Sequence, residues 1–327
     1  MVLAAGLGTR LRPLTERIAK PALPLLGSTL LEGNLRLVAR AGVREVVVNA
    51  HHLQKTVARV AHEAAERLGL TLHLSFEAPE VLGTGGALVA ARPLLDRGTP
   101  FLLVNGDVLS DLDPAGAIAA HVASGALGTM VLRPMPEGAS YGAVETDAQG
   151  RVARIAGFGR ELAPGEPTAS WLFTGVHVLS PSIFTVLPTE GPSCVNRQGH
   201  AALIAKGGHV LGHVEAGGGW SDVGTPERYV EANLDLLEGR YAVEKPLGAA
   251  VERAPGVFVD PSAGVEPGAE LVGPAFVGAG AVVRSGARIG PRAVILAGAS
   301  CAGAVRDGVV GPGVVAADDV VGRLASA

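Results

Sequence analysis

Over the first 240 residues, short apolar runs rich in valine and leucine alternate with longer stretches that are apolar on one helical face. The runs lie at 44–49 (REVVVN), 71–76 (TLHLSF), 101–104 (FLLV), 128–132 (GTMVL) and 208–214 (GHVLGHV). The helical stretches lie at 29–41, 52–68, 85–95, 114–124 and 225–238. The last has a clear start, Thr225 as N-cap and Pro226 at the first helical position. Strands alternating with helices predict an α/β fold whose mostly parallel sheet is covered on both faces. Such sheets bind ligands at the carboxyl ends of their strands, so the strand-to-loop junctions are the places to search.

Beyond about residue 255 the period changes to six. Val259, Val265, Leu271, Val277, Val283, Ile289, Ile295 and Cys301 recur at every sixth position, and Ala263, Ala269, Ala275, Ala281, Ala287, Ala293 and Ala299 form a second series. Two registers held this long predict a parallel β-helix, each repeat supplying one short strand and a tight corner. The register fails at Asp307, and the tail to Ala327 is expected to cap the solenoid or pack on a neighbour. The chain thus divides into 1–240, a linker at 241–256, and a β-helix at 257–327.

Composition sharpens this picture. Glycine contributes 46 of 327 residues and aromatics only 12, so the core must be built from Val, Ala and Leu. A net charge of −4 without a Lys/Arg run argues against a nucleic-acid or polybasic membrane surface. Cys194 and Cys301 show no ligand spacing and read as reduced thiols of a cytoplasmic protein. No window approaches the roughly 18 apolar residues of a spanning helix, and the start MVLAAGLGTR is no signal peptide.

The first loop, Leu3 to Thr15, reads LAAGLGTRLRPLT and is followed by Lys20-Pro21. Its N–H groups can face phosphates, with Arg10 and Lys20 supplying charge; it can equally be a strand-ending turn with surface arginines. It is neither the dinucleotide G-x-G-x-x-G nor a P-loop. Asp107, in Asn105-Gly106-Asp107, and Asp222, ending GHVEAGGGWSD, both sit at strand-to-loop junctions. Taken singly, each could be a turn residue.

The whole string LAAGLGTRLRPLTERIAKPALP resembles the opening signature of the sugar-phosphate nucleotidyltransferases, or sugar-nucleotide pyrophosphorylases. Leu82-Gly83-Thr84-Gly85-Gly86-Ala87, Asn105-Gly106-Asp107, Tyr141-Gly142, Phe173-Thr174-Gly175 and Trp220-Ser221-Asp222-Val223-Gly224-Thr225-Pro226-Glu227 follow in family order. The resemblance covers about 1–240 and implies a Rossmann-like nucleotide-diphospho-sugar transferase domain. A left-handed hexapeptide β-helix behind it is familiar from GDP-mannose and related pyrophosphorylases. The implied reaction joins a nucleoside triphosphate to a sugar 1-phosphate and releases pyrophosphate, with Mg²⁺ on Asp107 and Asp222. Arg10 and Lys20 then hold the triphosphate, and Leu3, Ala5, Gly6, Gly8, Thr9, Gly83, Thr84 and Gly86 approach the nucleotide. Tyr141, Gly142, Thr174 and Gly175 are expected at the sugar phosphate.

Glu77, at the end of strand 71–76, could accept the donors of guanine, which resembles the guanylyl-transferring branch, or be a solvated loop charge. One departure is plain. Where the family carries Glu-Lys-Pro, this chain has Phe158-Gly159-Arg160-Glu161-Leu162, so Arg160 is expected to replace the lysine and Glu161 to meet sugar hydroxyls. Arginine is not a neutral replacement for lysine at a phosphate. Phe173 stands where the family has asparagine. A rival acyl-transfer role for the β-helix lacks its histidine, since all nine lie at or before His213. A non-catalytic binding paralogue is the second rival. The β-helix then reads as a lid support, effector site or homo-oligomer interface, and the first strand as a few residues short of the family's, at some expense of stability.

Overall fold

The computed structural model describes residues 1–137 and 141–326. The chain forms two compact units: Met1–Gly6, Asn34–Val108 and Leu112–Gly218 in the first, Leu7–Gly33, Leu109–Asp111 and Gly219–Ala327 in the second.

The first unit is built on a ten-stranded sheet. Phe101–Asn105, Val2–Leu3, Glu45–Ala50 and Thr71–Phe76 run parallel side by side, as the strand–helix alternation predicts. Ala169–Leu179 is antiparallel to Phe101–Asn105 on one side and to Gly128–Pro134 on the other, and Val210–Val214 lies parallel to Gly128–Pro134. Antiparallel strands Val144–Thr146, Val152–Ile155 and Phe158–Gly159 extend that half. The sheet thus joins the expected parallel strands to an antiparallel extension. The helix Gln54–Leu68 packs on Glu45–Ala50 and Thr71–Phe76, and ends at Gly69, whose φ of 64° suits glycine. The stretch expected as one helix over 85–95 breaks in two, Gly83–Ala90 and Arg92–Leu95, because Pro93 cannot donate within a continuous helix. The core is aliphatic, with Leu88, Leu103, Met130, Leu132, Leu179 and Ile183 fully buried.

In the second unit the six-residue period becomes three parallel sheets visited in turn. Val259, Val277 and Ile295 stand in register on one, Val265, Val283 and Cys301 on the next, Leu271 and Ile289 on the third. The interior side chains are Val, Ile and Cys, and the second series, from Ala275 to Ala299, is buried with them. The tail does not leave the solenoid. Gly308–Val310, Val315–Ala316, Val320–Val321 and Leu324–Ala325 add a further coil, in which Val310 opposes Ile295, so this coil is shorter than those before it. Asp307 marks the change, with φ 49° and a 3.0 Å ion pair to Arg292.

The compact units do not divide at residue 240. The helix Pro226–Glu238 buries Tyr229, Val230, Leu234 and Leu237 in one cluster with Phe276, Val294, Leu296 and Val309 of the β-helix. Its amphipathic face needs an apolar partner, and the solenoid supplies one. Thr225 caps it, accepting from Arg228 N, and Gly239 ends it in the left-handed conformation. Val251–Ala254, expected in a linker, pairs antiparallel with Val257–Val259.

The first unit also buries a histidine pair. His177 and His200 are both inside, their rings stacked and His177 Nδ1 2.9 Å from His200 Nε2. One nitrogen must donate and the other accept, so the accepting ring is neutral, and burial keeps the donating ring neutral as well. Burial, and the nearness of His121, pull His200 down to about 4 from 6.5. The unfolded chain therefore binds protons first, and this contribution to stability, complete above about pH 6.5, falls as the pH drops towards 4. Melting curves from pH 7.5 to 4.5 are expected to lose about 1 kcal/mol per pH unit through this window. His200→Gln should flatten that acid limb, whatever its effect on the level; an equally steep limb would refute the assignment.

Candidate active site

At the carboxyl edge of the first unit's sheet, two buried polar side chains join three loops. Asn49 ends the strand Glu45–Ala50, and its Oδ1 accepts from Ala4 N at 2.7 Å. Its Nδ2 donates to Glu77 Oε1 at 2.6 Å, and Glu77 Oε2 accepts from Leu82 N at 2.7 Å. Glu77 is 1% exposed. Its backbone carbonyl meets His51 Nδ1 at 3.0 Å and accepts from Gln54 Nε2 at 3.1 Å. The first loop, the loop after Glu45–Ala50 and the start of the helix Gly83–Ala90 are thereby fixed to one another. This corrects the guanine-reading expectation for Glu77: both carboxylate oxygens are turned inward and bonded to protein donors.

The same edge holds Asp107. Gly106 N donates to Leu3 O at 2.9 Å, and a Cβ at Gly106 would stand 2.3 Å from that oxygen, so only glycine lets the two loops meet. Asp107 follows, half-buried. Gly175, at φ 87°, lies against Asn105, where a Cβ would come 3.0 Å from the Asn105 Cβ. Leu3, Asp107 and Gly175 are thus gathered at one edge. Ala5 is buried beside them, whereas Gly6 is exposed with open space over its Cα.

The glycines of the Leu82–Gly86 stretch pack against the 191–195 segment. Gly85 N donates to Ser193 O at 2.8 Å, Ser193 N to Leu82 O at 2.9 Å, and Val195 N to Thr84 Oγ1 at 2.8 Å. A Cβ at Gly83 would stand 2.6 Å from Ser193 O, one at Gly85 2.6 Å from Ser193 Oγ, and one at Gly86 2.8 Å from Gly191 O. The glycines make room for the 191–195 segment, and the Thr84 hydroxyl anchors that segment.

Of the residues expected at the sugar, Gly142 is exposed and Tyr141 half-buried. Thr174 is fully buried, its hydroxyl donating to Val131 O at 2.8 Å, so its side chain is structural. Arg160 does not present a free guanidinium: Glu166 grips it through both oxygens, one contact at 3.0 Å. The Arg160 side chain, helped by Ala163 N, pulls the Glu166 carboxyl down to about 2. Glu161 is exposed.

In the second unit, the segment after Gly8 folds on itself. Gly8 has φ 64°, and its carbonyl accepts from Leu11 N at 2.9 Å and Thr15 Oγ1 at 2.8 Å. Thr9 and Arg10 are exposed on the resulting 3-10 turn. A Cβ at Gly224 would stand 3.0 Å from Arg10 Nη2, so this glycine lets the guanidinium lie across the backbone. Lys20 is 7% exposed. Asp222, on the strand Trp220–Asp222, is ion-paired with Arg228. Asp111 bonds Gly219 N and Ala242 N, each at 2.6 Å, and so fixes the chain ahead of that strand. Sequence reasoning missed Asp111 and Asn49, although a polar residue ending the apolar run VVVN was a visible signal.

Residues 1–239 match the nucleotidyl transferase family, and the chain belongs to it. It is similar to the mannose-1-phosphate guanylyltransferase of Mycobacterium tuberculosis, 32% identical over 88% of this chain and 77% of that protein. The UTP–glucose-1-phosphate uridylyltransferase of Synechocystis is 28% identical, over 98% of this chain and 86% of its own. The mannose-1-phosphate guanylyltransferase catalytic subunit beta of Danio rerio is 29% identical, over 80% and 71%. The chain is a nucleotidyltransferase. Among the described residues no helix is long and apolar enough to cross a membrane.

Two substitutions test the scaffold. Glu77→Gln turns one acceptor into a donor facing a donor, and should cost about 1–3 kcal/mol of stability while raising the KM for nucleotide. Gly85→Ala drives a methyl into Ser193 and should lower the Tm as well as activity. Thermal melts with steady-state kinetics check both; unchanged melts would contradict the packing described.

Proposed function

We propose that this chain joins a nucleoside triphosphate, GTP by preference, to a mannose-1-phosphate-like sugar 1-phosphate. The observation that carries the reading is the convergence of Leu3, Asp107 and Gly175 at one sheet edge, in a chain whose relatives include two named mannose-1-phosphate guanylyltransferases. The uridylyltransferase of similar identity makes UTP with glucose 1-phosphate the second reading.

A phosphate oxygen of the sugar 1-phosphate attacks the α-phosphorus; the new P–O bond forms as the α–β bridge breaks, and pyrophosphate leaves with the bridging oxygen. Such chemistry asks for alignment and charge neutralisation rather than covalent help. Arg10 and Lys20 are the cations assigned to the triphosphate and the leaving pyrophosphate. The backbone of Leu3, Ala5, Gly6, Gly8 and Thr9 is assigned to the nucleotide, and Tyr141, Gly142 and Gly175 to the sugar side.

The donor set suits Mg²⁺. The family resemblance assigns the metal to Asp107 and Asp222, each of which offers hard carboxylate oxygens. Mg²⁺ is commonly held by one or two carboxylates with substrate phosphates and water completing its shell. Bound there, it would neutralise charge developing on the transferring phosphate.

Five nucleoside triphosphates set against a panel of sugar 1-phosphates, with pyrophosphate release read in Mg²⁺, test the proposal. GTP with mannose 1-phosphate should give the highest kcat/KM. A pyrimidine triphosphate ahead of GTP would overturn the base preference, and no release from any pair would overturn the activity.

A further inference from the structure

The first unit contains a cavity of about 310 Å³ that the residues assigned so far do not explain. Its size falls within the range of small-molecule sites, about 300–1,000 Å³. Gly142 lies on it, and the rings of Phe158 and Phe173 form part of its wall. The polar lining comes from one short stretch, Cys194, Asn196 and Arg197. The missing family lysine leaves this region in need of a cation, and Arg160 is closed off by Glu166.

Arg197 is differently placed. Its guanidinium lies over the Phe158 ring, 5.8 Å from the centroid, and among the described residues it has no carboxylate partner. The ring restrains the side chain through its π face, and a guanidinium has N–H donors beyond the one given to Cys194. Beside it, Asn196 Oδ1 is buried without a hydrogen-bond donor among the described residues. A buried acceptor with no partner is costly unless a ligand supplies the donor, which a sugar hydroxyl can do. The segment is held in place from behind, through Val195 N on Thr84 Oγ1 and Cys194 N on Gln198 Oε1, both at 2.8 Å.

We propose that Arg197, and not Arg160, is the cation that receives the phosphate of the sugar 1-phosphate, with Asn196 accepting from a sugar hydroxyl and Phe158 and Phe173 flanking the ring. The assignment rests on the reading that the second substrate is a sugar 1-phosphate. It makes the helical turn Val195–His200 a specificity element. Because the segment leading into that turn is bonded to Leu82, Thr84 and Gly85, the two substrates are coupled through the glycines already described.

Cys194 provides a readout independent of turnover. It is half-exposed in the cavity. Burial alone would raise its thiol, but hydrogen bonds from Arg197 and Asn196 N–H, Thr84 and the Arg197 side chain outweigh it and lower the pKa. The other thiol, Cys301, is buried inside the β-helix.

The test compares wild type with Arg197→Met, Arg197→Lys and Arg160→Met. Arg197→Met should raise the KM for the sugar 1-phosphate about tenfold or more while the KM for nucleotide changes less than about twofold, as loss of a charge-assisted contact predicts. Arg197→Lys should recover part of the loss, and Arg160→Met should change either KM by less than about twofold. In parallel, iodoacetamide labelling of Cys194 is followed by peptide mass mapping, without Mg²⁺ or nucleotide, with each sugar 1-phosphate of the panel, inorganic phosphate or the free sugar. At least one sugar 1-phosphate should slow labelling in wild type but not in Arg197→Met, relative to each protein's own unliganded rate. An unchanged KM in Arg197→Met, a larger effect from Arg160→Met, or no protection in wild type would overturn the assignment. If no substrate pair turns over, the proposed activity fails by itself, and the labelling result still decides whether Arg197 binds a sugar phosphate.

Discussion

The hydrogen-bonded pair Asn49–Glu77 is the constraint on which the rest of the first unit's site depends. Neither side chain is accessible, and their bonds reach Ala4 in the first loop and Leu82 in the second. Loops at the end of a parallel sheet have no ladder to hold them, so their positions must come from side chains. A buried carboxylate can do this only when its oxygens are satisfied, and here each has a donor within 2.7 Å. The consequence is that Leu3, and with it Gly106 and Asp107, occupies a fixed place relative to the start of the helix Gly83–Ala90. Preorganisation of that kind is what phosphoryl chemistry asks of a protein.

A second layer of fixing passes through glycine. Gly83, Gly85 and Gly86 admit the 191–195 segment at distances no side chain would tolerate, and Ser193 and Val195 bond back to Leu82 and Thr84. The second unit uses its glycines differently. In the β-helix they turn corners, as at Gly290, where a Cβ would stand 1.8 Å from Val272 O. The solenoid then offers Phe276, Val294 and Val309 as the apolar partner of the helix Pro226–Glu238. It is part of one core rather than a module attached behind a linker.

The sequence disclosed what depends on local period and lost what depends on tertiary partners. Strands at 71–76 and 101–104 were legible as short apolar runs of strand length, and the six-residue coils because one inward-facing residue recurs at every sixth position. The strands Val144–Thr146, Val152–Ile155 and Ala169–Leu179 were missed: they are short or irregular, and a bulge between Phe173 and His177 breaks the alternation of the longest. Motifs marked the neighbourhood of the site but not the direction of each side chain. Glu77 and Thr174 stand in matched stretches yet face inward, and Arg160 finds Glu166 six positions on, a pairing no periodicity reveals. Arg197 went unnoticed because nothing in its own stretch announces that Phe158 will lie beneath it.

The central claim is that this chain moves a nucleotidyl group, keeping the α-phosphate and releasing the other two. Parallel incubations with GTP labelled at the α- or the γ-phosphate, each with mannose 1-phosphate and Mg²⁺, test it most directly. The account predicts that α-label appears in a phosphatase-resistant nucleotide-sugar and γ-label in pyrophosphate, in equal amounts. Release of γ-label as inorganic phosphate, or α-label recovered only in free guanosine nucleotides, would contradict it.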